Sequence, residues 1–318
     1  MKGSYCIRRL CIAAPTFIGI TIIAYIVASL APGSPLDALL VDPHISAAEL
    51  ERRKIIYGLD KPVWVQYINW LKALFHGDFG FSYATRRPVL TMIGERIGPT
   101  LLLAGTAIVL SLAVSLVLGI LAASKPGSRR DYLTSGFSFL MLSTPNFFIG
   151  LALIFIFAAG LKILPSNGMY DSGGEKTIPV LLKHLVLPAL VLSFQHTGSW
   201  IRHVRSSVLE VLGEDYIRTA RAKGLTKTQV LLRHGLKNAL IPVAAVIGMS
   251  LPGLISGAVV TEQVFSWPGL GSLMVRSIAL RDYPVIMGIT VIVSAGVLVI
   301  NLIIDLLYGF LDPRIRYE

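Results

Sequence analysis

The side chains that could hold a metal or move a proton are six histidines, two cysteines and 18 carboxylates in 318 residues. The histidines (His44, His76, His184, His196, His203, His234) are dispersed. No two stand at i, i+4, the spacing that places two imidazoles on one helix face to grip zinc. Cys6 and Cys11 both lie at the start of the first apolar run, fit no metal spacing and read as inert thiols. No metal site is expected. The chain also lacks G-x-x-x-x-G-K-[ST], the loop whose backbone amides cradle phosphates, so it is not expected to hold ATP by that device. H-E-x-x-H and G-x-S-x-G are missing as well, and no catalytic residues are assigned. The glycines of Trp267-Pro268-Gly269-Leu270-Gly271 form no dinucleotide fingerprint and read as an outer turn.

Two features remain. Asn301 and Asp305 interrupt the last apolar run four residues apart, so they share one helix face. Polar groups within a membrane mark pathways or gates by default. The competing reading is interhelical hydrogen bonding, or a carboxylate near the cytoplasmic end held by a loop arginine. The second feature is the segment 202–238, in which two short helices fit, broken at Gly224. Glycine at such a break either takes a positive φ or admits close backbone approach. Thr219, Ala220 and Ala222 give the first short helix a small-residue face, and Leu225, Val230, Leu231 and Leu232 supply apolar contacts. Such a helix can dock into a groove on another protein; alternatively the segment is an ordinary solvated basic loop.

These residues must be positioned by membrane helices. Hydrophobic residues make up 54% of the chain and charged residues 15%, against about 25% charged in soluble domains. The apolar residues gather in runs long enough to cross a bilayer as helices, without the alternation of a barrel strand. Six spans are expected, at 10–31, 101–123, 134–160, 184–201, 239–260 and 285–310, within one transmembrane domain covering 1–318. Pro145 and Pro188 fall inside two of them and are expected to kink them. The first run, 22 residues, exceeds a signal-peptide core and reads as an uncleaved anchor.

Charge sets the orientation. With a cytoplasmic N-terminus, the inner segments (1–9, 124–133, 202–238, 311–318) hold 16 Lys/Arg in 64 residues, and the outer ones hold 13 in 116. That bias is the positive-inside pattern, and it places both termini in the cytoplasm. It also accounts for the net charge of +11 without nucleic acid, for which no motif is present. In the outer loop 32–100, Val63, Tyr67, Trp70, Leu71 and Leu74 recur at helical spacing, with Trp64 and Phe75 alongside. They predict an amphipathic helix, lying either at the membrane interface or as a cap on a soluble partner.

The segment Asp215-Tyr-Ile-Arg-Thr-Ala-Arg-Ala-Lys-Gly224, followed by Ile241-Pro242, resembles the EAA loop of ABC importer permeases. The triplet reads Arg218-Thr219-Ala220, so its Glu is replaced, and the spacing from Gly to Pro is longer than the general pattern. Both departures resemble the dipeptide/oligopeptide branch. Further stretches extend the likeness over nearly the whole chain: Pro32-Gly33-Ser34-Pro35, Tyr57-Gly58-Leu59-Asp60-Lys61-Pro62, Gly77-Asp78-Phe79-Gly80, Val264 to Gly271, Arg281-Asp282-Tyr283-Pro284, Asn301 to Asp305 and Asp312-Pro313-Arg314-Ile315-Arg316. The chain is thus similar to the B-type permease subunit of the peptide/nickel/opine importer family.

The resemblance implies an all-α, six-span type I importer permease of the bacterial inner membrane. It would form half of a translocation pathway for peptides, or for nickel–chelate, glutathione or another small solute. The implied partners are a second, C-type permease, two ATPase subunits binding ATP and Mg, and an extracytoplasmic solute-binding protein. Asp215, Tyr216, Arg218, Thr219, Ala220, Ala222 and Gly224 would couple to the ATPase. The rival classes are a secondary transporter, which predicts inverted repeats and midplane ion pairs, and a membrane scaffold or enzyme, which predicts a polar cluster inside the spans. None of these features is evident.

Overall fold

The computed structural model describes residues 2–30, 33–36 and 46–311. Pro32, His44, the closing Asp312–Arg316 motif and the side chain of Cys6 lie outside what is described. Every regular element among the described residues is a helix; extended backbone pairs only in an isolated antiparallel bridge between Phe81 and Pro88.

The first helix, α1 (Lys2–Leu30), carries the apolar stretch Cys11–Leu30. Next comes α2 (Ala47–Ile56), which the hydropathy reading lacked. Its cap is local: Ser46 Oγ accepts from the Glu49 amide at 3.2 Å, and Glu49 pairs with Arg53 one turn on at 2.9 Å. The amphipathic helix expected in the outer loop is α3 (Val63–Phe75). Its Tyr67 hydroxyl bonds Thr21 of α1 at 3.0 Å, and Tyr25 donates to Gln66 at 3.3 Å. Trp64 and Phe75 stay exposed, so α3 presents aromatics both toward α1 and away from it.

Helix α4 (Val89–Ser124) and helix α7 (Ile178–Gly213) each run 36 residues. At 1.5 Å per residue that is about 54 Å, well beyond a hydrocarbon core of about 30 Å. Each must therefore continue outside the bilayer, and α7 carries the helix past the expected end at 201 through Arg202, Arg205 and Glu210.

The third expected span is not a single kinked helix. Helix α5 (Arg129–Ser143) stops, and α6 (Asn146–Leu153) starts anew and runs into a π-helical turn, Ile154–Gly160; the two halves meet at 101°. Thr144 and Pro145 are both extended, with ψ 125° and 138°. Proline pushes its predecessor out of the α region and has no N–H to continue the ladder, so the helix breaks instead of bending.

Beyond α7 lie α8 (Asp215–Ala222) and α9 (Lys227–Gln229), whose π-helical continuation Val230–Gly235 feeds α10 (Leu236–Val264). Helices α11 (Leu270–Ala279) and α12 (Tyr283–Leu311) are the last among the described residues. Among the described residues, five helices have the length and apolarity to cross a membrane, and the bent α5–α6 pair makes six.

Packing divides the chain into two compact units. One comprises Met1–Gly98 with Gly269–Leu302; its core is Val89, Met92, Ile93, Leu270, Leu273, Val285 and Ile289. The other comprises Pro99–Pro268 with the segment from Ile303. There Leu103, Leu185, Leu192, Trp200 and Trp267 form one buried cluster, and Val204, Val208, Ala239 and Val243 belong to another. Helix α7 is the spine of this second unit. It meets α5 where Ser138 donates to the Gly198 carbonyl at 2.6 Å, an approach only glycine permits, because a Cβ there would stand 2.8 Å from that of Met141.

Candidate functional site

The segment after α7 forms a small folded element. Glu214 is extended (ψ 150°) and turns the chain out of α7 into α8. Ile217 and Ala220 face inward and form a buried cluster with Val230, with Leu212 and Leu225 packed against it. The opposite face of α8 carries Asp215, Arg218, Thr219 and Ala222, all exposed. Arg218 and Asp215 pair at 3.2 Å, with side chains 74% and 93% exposed. Such a pair contributes little to stability, so both charges remain open to a partner. The Tyr216 hydroxyl accepts from the Asn238 carboxamide at 2.9 Å, tying α8 to the first turn of α10.

Gly224 has φ +82°, and a Cβ built on it would meet nothing within 4 Å. Of the two reasons for a glycine here, left-handed backbone holds and close approach does not. Thr226 then starts α9 with a reciprocal capping box to Gln229. Of the seven residues expected to couple, Ala220 is the one that faces the element's own core; its small side chain lets α8 lie close over Val230. The segment brings no nucleophile and base together. Chemically it is a rigid surface of charge and hydroxyl mounted on the extended end of α7.

In the last span Asn301 is exposed, while Asp305 is half-buried and is not a free carboxylate. The stronger polar anchors are ones that motif reading missed. Asp131, at the start of α5, receives a two-pronged bond from Arg205 of α7 at 2.6 and 2.8 Å, and the Gly127 amide adds a third at 2.9 Å. The signal available was Ser128-x-x-Asp131, a helix start; the Ser128 hydroxyl indeed accepts from the Asp131 amide.

Glu262 is fully buried and accepts from the Thr100 hydroxyl at 2.6 Å, a lone acid at the end of an apolar run. Near it the expected outer turn buries Trp267 completely, with its indole N–H on the Pro99 carbonyl at 2.9 Å. In the first unit, buried Asp282 accepts from the Ser82 hydroxyl and from the Tyr83 amide at 2.9 Å. The motifs around Gly77 and Asp282 thus form one structure, in which the residue leading into α12 ties down the turn that follows α3.

Comparison with known proteins bears on the family and the fold. The family model described as binding-protein-dependent transport system inner membrane component matches residues 115–317, and its N-terminal companion matches residues 3–104. The oligopeptide transport system permease protein AppB of Bacillus subtilis (strain 168) is 44% identical over 316 residues, covering 99% of this chain and 100% of that protein. The dipeptide transport system permease protein DppB of Escherichia coli (strain K12) is 38% identical over 335 residues, covering 99% of each. Among solved structures, an inward-facing MetNI methionine ABC transporter superposes with a TM-score of 0.58 at 17% identity, over 70% of this chain and 97% of that one. An amino acid ABC transporter solved with histidines gives 0.52 at 12%, over 69% and 94%. These two speak to the fold alone. A helical chain with the spans to cross a membrane several times, matched by the family models along most of its length, is a multi-pass membrane protein of the binding-protein-dependent transport system inner membrane component family.

Proposed function

We propose that this chain is the permease subunit of an ATP-driven importer of dipeptides or oligopeptides, forming half of the pathway. One observation supports this reading most: α8 is folded against its own core and presents Asp215, Arg218, Thr219 and Ala222 outward. That exposed ridge suits the groove of a separate ATPase. Peptide as the cargo rests on relatives named as oligopeptide and dipeptide permeases. The chain is a transport component; ATP and Mg²⁺ are held by two partner ATPase subunits. A second permease completes the pathway, and an extracytoplasmic binding protein delivers the solute.

Both termini lie in the cytoplasm, on the side where the basic residues concentrate. ATPase closure moves α8, and α8 moves the extended end of α7, which is packed into the second unit through Val204 and Val208. This is a two-state element that both sites can bias, the physical requirement for coupling.

Reconstitution in proteoliposomes tests the proposal. Peptide accumulates only with ATP, Mg²⁺ and binding protein present, and the purified chain alone hydrolyses no ATP. Accumulation driven by an ion gradient without the ATPase would instead establish a secondary transporter. The ligand retained by the binding protein decides between peptide, nickel–chelate and glutathione.

A further inference from the structure

The first unit contains a cavity of about 360 Å³ that the coupling mechanism does not use. It is open on one side and lined by α1, the end of α2, α3, the turn around Asp78 and the entry of α12; Asn69 and Asp78 face its solvent-exposed mouth. Its size falls in the range of small-molecule sites, about 300–1,000 Å³. The walls are aromatic. Tyr57 and Tyr83 stack with ring centroids 4.3 Å apart, and Tyr25 and Trp70 lie 6.3 Å apart. Burial lifts the Tyr83 phenol above its ordinary range, so its ring keeps a neutral hydroxyl.

Among the described residues the charge on the lining is one-sided: Asp78 is there, and no Lys or Arg is. One Asp78 oxygen accepts the Gly80 amide at 2.8 Å, which leaves the other for a ligand. The Asn69 carboxamide, also on the wall, makes no hydrogen bond among the described residues. Aromatic faces are the negative side of their quadrupoles, and with one carboxylate they make a cage for a compact cation. An anion would meet no donor charge here.

We propose that this cavity binds a protonated amine carried on an apolar body. The ammonium lies between Asp78, the Asn69 carbonyl and the faces of Trp70 and the tyrosines, and the body rests on Phe79 and Met287. The site is separate from the coupling segment, which belongs to the other unit.

The test uses the assembled complex in lipid nanodiscs, titrated calorimetrically with phenylethylammonium and with its uncharged N-acetyl derivative. The amine binds saturably, one per chain, and the acetylated form binds at least about tenfold more weakly. Asp78→Asn keeps the oxygen that receives the Gly80 amide and removes only the charge; it weakens amine binding about tenfold and leaves the acetylated form unchanged. Trp70→Leu weakens the amine by a similar factor. Should Trp70→Leu fail to assemble, Asp78→Asn decides alone. Equal binding of the two probes, an Asp78→Asn complex that binds the amine as the parent does, or no saturable binding by the parent would each overturn the proposal. Gly224→Val, which alters only the coupling segment, retains amine binding, so failure of the transport mechanism and failure of this site are told apart.

Discussion

Gly224 offers a quantitative test of how the coupling segment works. Its φ of +82° lies in the left-handed region, and its surroundings are empty to 4 Å. A substitution there therefore acts through backbone strain, not through collision. That strain costs an L-residue about 1–2 kcal/mol, and valine, whose two Cγ atoms crowd the backbone, sits toward about 3 kcal/mol. The contacts holding α8 are of the same size: burying Ile217 contributes about 2 kcal/mol and the exposed Tyr216–Asn238 bond about 0.5–1 kcal/mol. Alanine should leave α8 mostly in place, whereas valine leaves it displaced for a comparable share of the time. Since apparent affinity scales with the competent fraction, uptake should follow the order Gly ≈ Asn > Ala > Val, with Val below half. Asparagine stays near the parent because it tolerates left-handed backbone. The assay pairs uptake in vesicles with co-purification of the ATPase, at equal membrane abundance of each variant. Uptake in Gly224→Val equal to the parent's would refute the coupling role. An alanine variant as impaired as valine would refute the strain argument.

Three further outcomes follow from the same structure. In a background without Cys6 and Cys11, single cysteines at exposed Ser166 and Thr228 label from opposite sides of the membrane; same-side labelling would overturn the orientation. Asp131→Asn weakens the Arg205 clamp by about 2 kcal/mol and lowers the melting temperature, and adding Arg205→Met recovers part of the loss; a double-mutant cycle without coupling would show the clamp to be idle. Gly198→Ala forces a Cβ to 2.8 Å from Met141 and costs about 1–3 kcal/mol, whereas Gly136→Ala, with nothing within 4 Å, is neutral to stabilising by up to about 1 kcal/mol; equal melting temperatures for the two would contradict the close α5–α7 approach.

Several features of this chain were settled by its sequence alone. The membrane-crossing helices were legible because a run of about 20 apolar residues matches the hydrocarbon thickness whatever surrounds it. The helix at Val63–Phe75 was legible from its period, and the break at Gly224 from its residue type, although only the structure chose left-handed backbone over close approach there. Helix α2 was also written locally, in Ser46-x-x-Glu49, but its weak apolar pattern hid it from a reading led by hydropathy. Tertiary structure decided the rest. Asp131 and Arg205 are 74 residues apart, Thr100 and Glu262 162, and Ser82 and Asp282 200. A carboxylate's type says that burial demands partners, but only packing says which distant donors reach it. The break at Thr144–Pro145 follows the same logic: proline allowed either a kink or a stop, and the fold adopted two helices at 101°.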